Sequence, residues 1–187
     1  MDDSSIIRYE DLFVTPIVTD ETLAKAYFMM KSDGSFDKVF YQGNTSLTQF
    51  LTEFLTVGRR ITLGAFRDVA GKEPELCGLG WVLAPVSMDG WQRAETGMWF
   101  SQEQSRKTDN VRFGRMMLHS FFTRYTIDVI FGCTPSQNRA ALIYARKLGF
   151  FMNGPIMGMC SWDGKLSSGW ISTMTQEHWL TLPPFTS

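Results

Sequence analysis

Histidine is nearly missing from this chain: His119 and His178 are its 2 histidines in 187 residues. Most zinc and iron sites draw on imidazole, so this supply argues against a histidine-rich metal centre. Cysteine is scarce as well. Cys77, Cys133 and Cys160 stand far apart with no Cys-x-x-Cys pair, which argues against a zinc ribbon or a disulfide framework. Net charge is absent too. The 18 basic and 19 acidic residues leave a formal charge of -1, so no long-range field pulls the chain toward nucleic acid or anionic lipid. No apolar run approaches the roughly 18 residues that cross a bilayer. The opening Met1-Asp2-Asp3-Ser4-Ser5 is acidic and polar, the opposite of a secretory signal. A serine nucleophile on a Gly-x-Ser-x-Gly turn is also missing. These absences point to a cytoplasmic protein with no metal, no membrane and no nucleic-acid partner.

What the chain does have is material for a core. Apolar residues make up 44% and aromatics 14%. Such a composition buries a substantial interior, and the length suits one domain over residues 1–187. Repeats, low-complexity tracts and linkers are not visible. Cys133 lies in an apolar strand pattern and reads as a small filler. Five of the tryptophans, Trp81, Trp91, Trp99, Trp170 and Trp179, read as packing residues of strands or hairpins. Trp162 sits at a turn and is expected to be exposed. With Met157 and Met159 it suggests an apolar contact patch for an acceptor, a partner or a second copy.

Local patterns predict the elements. Ile6-Ile7-Arg8-Tyr9 reads as a short strand. Thr19-Asp20-Glu21 caps a helix that Lys31-Ser32-Asp33-Gly34 stops. Residues 35–45 read as irregular. Ser46 and Gln49 fit a capping box, and Leu47, Phe50, Leu51, Phe54 and Leu55 form the apolar stripe of the helix behind it. Three strands come next, at 61–66, 76–84 and 91–100, with an Asp89-Gly90 turn before the last, and they are expected to pair as an antiparallel meander. A polar stretch, 101–110, leads into a helix with Met117, Leu118, Phe121, Phe122 and Tyr125 on one face. Ile127 to Cys133 is an apolar run typical of a strand buried on both faces. Phe151 to Met174 reads as two strands turning at Trp162-Asp163-Gly164-Lys165.

Between those last elements lies the most specific stretch, Thr134 to Phe150. It runs from a polar turn with Asn138 as cap, through an amphipathic helix, to Arg146-Lys147-Leu148-Gly149-Phe150. It resembles the second cofactor motif of the GNAT acyltransferase superfamily. The order of elements over roughly residues 5 to 175 is similar to that family's order. The resemblance implies an α/β (α+β) fold: a mixed, mostly antiparallel central sheet with a splayed parallel strand pair, flanked by helices. It also implies acetyl-CoA as cosubstrate, lying between the strand that ends near Phe100 and the strand at 127–133. The thioester would then meet the backbone at Trp99 and Phe100. The pyrophosphate would meet the start of the next helix, at Val111, Arg112, Phe113, Gly114 and Arg115, where unpaired N–H groups and the helix dipole favour an anion.

The sequence departs from the family here. The pattern Gln/Arg-x-x-Gly-x-Gly/Ala falls on Asp109-Asn110-Val111-Arg112-Phe113-Gly114, and only the last glycine is kept. Asp109 near a diphosphate is unfavourable, by roughly 1 to 4 kcal/mol for unit charges about 4 Å apart. Arg112 and Arg115 could offset this by clamping phosphate, and Arg106-Lys107 could reach the 3′-phosphate. Asn138 matches the family's asparagine, which bonds cofactor or caps the helix. The tyrosine that protonates the departing thiolate in many members falls on Ala145, and Tyr144 lies one residue early, about 100° round the helix. The catalytic candidates are Tyr144 as acid and Glu95 as base for the attacking ammonium, with Glu103 in reserve. The expected activity is acyl-CoA-dependent N-acyl transfer to a primary amine of a protein or small molecule. The alternative is a catalytically impaired GNAT-like interaction protein, for example a phage head-assembly or virion-associated protein in the host cytoplasm or virion, with homodimerisation through the C-terminal strands.

Overall fold

The computed structural model describes residues 6–17, 19–40, 45–56, 58–105 and 109–183. In chain order the elements are β1 (Ile7–Tyr9), β2 (Leu12–Pro16), α1 (Asp20–Ser32), α2 (Phe36–Val39), α3 (Leu47–Leu55), β3 (Arg60–Arg67), β4 (Glu75–Leu83), β5 (Val86–Met88) and β6 (Trp91–Phe100). They continue as α4 (Gln102–Ser105), α5 (Asp109–Arg124), β7 (Val129–Pro135), α6 (Arg139–Leu148), β8 (Phe151–Trp162), β9 (Lys165–Thr175) and α7 (Gln176–Thr181). The strands form one sheet in the order β1-β2-β3-β4-β6-β7-β9-β8, with β5 paired to β6. The expected meander of β3, β4 and β6 is antiparallel throughout. The β6–β7 pair is parallel, and β9 and β8 close that side antiparallel. The sheet is therefore mixed and mostly antiparallel, as expected.

Local chemistry accounts for most of the helix ends. The Thr19 hydroxyl accepts from the Thr22 N–H and caps α1. Ser46 and Gln49 complete a reciprocal capping box on α3. Asn138 caps α6, which Gly149 ends in the left-handed region at φ 96. Asp89 and Gly90, both at positive φ, make the β5–β6 turn.

Several elements differ from expectation. Strand β2 is not among the expected ones, because Leu12-Phe13-Val14 is a three-residue apolar run without alternation; its pairing with β3 buries it. The stretch read as irregular contains α2, a single turn held by the burial of Phe36. Four residues of the polar stretch after β6 form α4, and α5 begins at Asp109. Trp179 packs from α7, a helix, with its ring stacked 6.1 Å from Phe122. Trp162 is half-buried, while Trp91, read as a packing residue, is 57% exposed at the β5–β6 hairpin.

Alternation along the strands divides the interior into two cores. On one face, Ala94, Met98 and Phe100 of β6 join Phe113, Met117 and Phe121 of α5. On the other, Trp99 and Trp81 meet Leu23, Phe36, Phe50 and Phe54 from α1, α2 and α3. Here the rings of Phe40 and Trp81 stack with centroids 5.5 Å apart. Trp99 Nε1 donates to Ser35 Oγ at 2.7 Å, so its buried polar atom is satisfied.

Candidate functional site

The site begins where β6 and β7 stop pairing. Their register covers Arg93↔Val129, Ala94↔Ile130 and Glu95↔Phe131. Beyond Glu95, β6 stays paired with β4 as far as Phe100. Beyond Phe131, β7 stays paired with β9 as far as Pro135. Each strand thus runs beside a different neighbour, and the sheet forks. The inner edge of β6 from Gly97 to Phe100 has no strand partner among the described residues. Such an edge offers backbone donors and acceptors to an extended ligand.

Glu95 stands at the vertex of the fork with its side chain exposed. Its carboxylate and Arg93 line a cavity of about 580 Å³ whose walls are otherwise mainly apolar, including Val86, Met88, Phe131 and Ile171. The charge of Glu95 reaches two neighbours. It supports the protonated Arg60 guanidinium, which burial otherwise pushes down and which bonds Glu53 at 2.8 Å. It also adds to the pressure on Cys133, whose thiol is pushed up to about 12 by burial first and then by the Cys160 thiol 2.9 Å away. A thiol so placed keeps its proton near neutrality and is no nucleophile. The Ser136 hydroxyl, near Cys133 in the chain, accepts from the Ser168 hydroxyl.

On the other face, the start of α5 is held by its neighbours. Asp109 is ion-paired to Arg67, which also bonds Asp11 at 3.1 Å. Arg67 is not a residue the sequence singles out, since no local pattern links two residues 42 positions apart. It neutralises the acid that made this loop unattractive for a diphosphate. Arg112 lies 3.5 Å from Asp109 and stacks 4.8 Å over the Tyr9 ring. Arg115 reaches the Pro183 carbonyl at 3.4 Å, and its Nε is buried without a hydrogen bond. Val111 packs on the core, and Phe113 lies fully within it, stacked against Phe100 at 6.1 Å. The Arg106-Lys107 pair lies outside the described residues, and Glu103 is exposed on α4.

Tyr144 belongs to this corner. Its hydroxyl donates to the Asn110 carbonyl at 2.8 Å, and its ring meets Phe100 edge-on at 5.7 Å. Burial holds its phenol well above the usual range. A Cβ added at Gly114 would come 2.0 Å from that hydroxyl and 2.9 Å from Leu148. The glycine is needed for α5 and α6 to approach each other. Ala145, one residue on, also packs against the core. Asn138 turns its Oδ1 to the Ala141 N–H at 3.2 Å and its Nδ2 to the Lys38 carbonyl at 3.4 Å, tying α6 to the end of α2. Trp99 and Phe100 send their side chains to opposite cores, so what they present along the fork is backbone.

The donor set is therefore neutral backbone along β6 and the first-turn N–H groups of α5, which lack intrahelical partners. Among the described residues no cluster of three metal-ligating side chains exists, and no helix is long and apolar enough to cross a membrane.

Comparison with known proteins agrees with this geometry. No family model and no curated protein matches the sequence. Solved structures do match in shape. A spermidine N-acetyltransferase from Vibrio cholerae, in complex with CoA and spermine, superposes with a TM-score of 0.72 over 92% of this chain and 100% of its own, at 13% identity. A probable acetyltransferase of the GNAT family from Chromobacterium violaceum gives 0.75 over 95% and 89%, at 16% identity. Another probable acetyltransferase gives 0.71 over 93% and 98%, at 13% identity. The chain has the GNAT acetyltransferase fold, in a sequence far diverged from theirs.

Proposed function

We propose that this protein is an acyl-CoA-dependent N-acyltransferase that moves an acetyl group from acetyl-CoA to a primary amine. The observation that carries the reading is the fork: β6 and β7 pair for three residues and then part, with an exposed carboxylate at the vertex. The donor set suits the cosubstrate. The free edge of β6 at Trp99 and Phe100 would hold the pantetheine arm by backbone hydrogen bonds. The first turn of α5, which begins at Asp109 and includes Val111 and Arg112, would meet the diphosphate with its N–H groups and positive helix end, whereas the N–H groups of Phe113, Gly114 and Arg115 lie past the first turn. When bound, acetyl-CoA supplies the acyl group as an activated thioester.

The chain's own groups then have separate tasks. Glu95 accepts a proton from the incoming ammonium, directly or through water, leaving a nucleophilic amine. A backbone N–H near Phe100 faces the carbonyl to be attacked. Asn138 fixes the entry of α6 against α2. Tyr144 enters as a positioning residue rather than as the acid, because its proton is engaged with the Asn110 carbonyl. The Vibrio cholerae neighbour's spermine is an amine, which agrees with an amine acceptor here.

A second reading has its own observation. The β8–β9 hairpin is the outer limit of the sheet, with Met157 91% and Leu166 81% exposed. An interaction protein that kept the fold without the chemistry, such as a virion-associated one, would use that edge to bind a partner or a second copy.

Thermal unfolding separates the two. Acetyl-CoA at about 1 mM raises the melting temperature by several degrees if it binds with micromolar affinity, as linkage requires. No shift in Tm, together with no acetyl transfer to a panel of amines, would overturn the transferase reading and favour the second.

A further inference from the structure

The cavity beside Glu95 holds more than a candidate base. Resting on the transferase reading, we infer that the acceptor is a hydrophobic amino acid: a primary amine that also bears a carboxylate and an apolar side chain. Three features of the cavity argue for it.

First, it offers one charge of each sign. Arg93 and Glu95 are two residues apart on β6, so their side chains leave the same face about 6.6 Å apart along the strand. Neither side chain makes a hydrogen bond or an ion pair among the described residues, and none joins them to each other. The Nε of Arg93 is buried with no acceptor. That nitrogen has lost water without gaining a partner, and a carboxylate is the group that pairs with a guanidinium bidentately. Glu95 beside it receives the ammonium.

Second, the rest of the wall is apolar. Val86, Met88, Phe131 and Ile171 line it, and Val86 and Met88 are 58% and 51% exposed at the rim. A side chain lying there recovers the hydrophobic free energy that this rim otherwise leaves in contact with water. The volume of about 580 Å³ is ample for a small molecule of this kind.

Third, the charge balance opposes a polyamine. Glu95 is the cavity's one carboxylate among the described residues, it shares the cavity with Arg93, and its charge already serves Arg60 on β3. A ligand with three or four positive charges would meet one guanidinium and one carboxylate in the cavity. The acceptor preference therefore differs from that of the spermine-bound neighbour, although the folds superpose.

The test is equilibrium binding, by calorimetry, of L-leucine, L-leucinamide and spermidine at up to millimolar concentration to the full chain. Each is measured with and without CoA. The expected result is that L-leucine binds. L-leucinamide, which lacks only the carboxylate charge, should bind at least about tenfold more weakly, the loss of one charge-assisted contact. Spermidine should not bind. Arg93→Met should erase the difference between leucine and leucinamide, while Arg93→Lys should keep part of it. Equal affinity for leucine and leucinamide in the unaltered protein, tighter binding of spermidine, or no leucine binding in either condition overturns the inference. Because the unaltered protein already decides, a variant that does not fold changes nothing. Leucine binding without CoA binding would sink the transferase reading and spare this cavity's preference. CoA binding without leucine binding would do the reverse.

Discussion

Beside Glu95 the fork opens on apolar side chains and on two charged groups, Arg93 and Glu95, that make no hydrogen bond or ion pair among the described residues, whereas around Gly114 the Tyr144 hydroxyl, the Asp109 carboxylate and the Arg112 guanidinium are all engaged by neighbours. Unsatisfied groups in a cavity are expensive unless a ligand completes them, while satisfied groups at a helix start contribute to stability and leave only backbone N–H to a ligand. On the proposed reading the acceptor side would carry the selectivity, through side chains, and the phosphate side would carry affinity, through backbone, while the side chains there serve the packing of α5 on α6. This explains how a loop with one glycine remaining from the family pattern is still compatible with the fold: its polar side chains are turned to the protein.

Four measurements test this contrast. Glu95→Gln should lower kcat/KM by about a hundredfold or more, roughly 2.7 kcal/mol, with acetyl-CoA affinity unchanged. A loss of cosubstrate affinity instead would place Glu95 on the wrong side of the fork. Gly114→Ala should destabilise the protein by about 1–3 kcal/mol in urea unfolding, because its methyl collides with the Tyr144 hydroxyl. Tyr144→Phe in the same chain should recover part of that cost. A neutral Gly114→Ala would mean that the corner is loose. Asn138→Ala should cost about 1 kcal/mol through the lost cap of α6, with no effect on the cavity beside Glu95. The smallest effect concerns His119, on the α5 side alone. Burial first, then the Arg124 charge, holds its imidazole below the ordinary value. As pH falls through about 6.5 the unfolded chain takes up this proton first, so stability declines from there down to the folded-state value and then levels. His119→Gln should flatten that part of the stability–pH curve; an unchanged slope would remove His119 as its source.

The elements legible in the sequence are those whose evidence lies within a few residues. Thr19, Ser46 and Asn138 each accept from the N–H three positions on in their own helix, and the apolar stripe of α5 repeats every turn. The alternation that puts Arg93 and Glu95 on one face is equally visible. What surrounds them is less so: β5 is one tight turn away, but the walls from β7 and β9 come from segments that the chain reaches only after several connections. Strand β2 escapes for a related reason: three apolar residues in a row have no period, and only pairing with β3 tells strand from loop. Tyr144 illustrates a different limit. Its offset from the family's tyrosine is plain in the sequence, but its use is not, since the Asn110 carbonyl it bonds lies 34 residues away.

Read alone, then, the amino-acid sequence determined the longer helices and strands and the caps that bound the helices. Those depend on backbone and side-chain contacts a turn or less apart, which every copy of the local pattern makes in the same way. The forking of β6 from β7, expected through family resemblance, shows only in the tertiary pairing, where past Glu95 β6 keeps β4 alone and past Phe131 β7 keeps β9 alone. The pairing of Arg67 with Asp109, and the lack of a partner for Arg93 among the described residues, were likewise decided in three dimensions. Such outcomes turn on which distant segments arrive side by side, and a long-range ion pair or an unsatisfied guanidinium leaves no periodic trace in the chain that makes it.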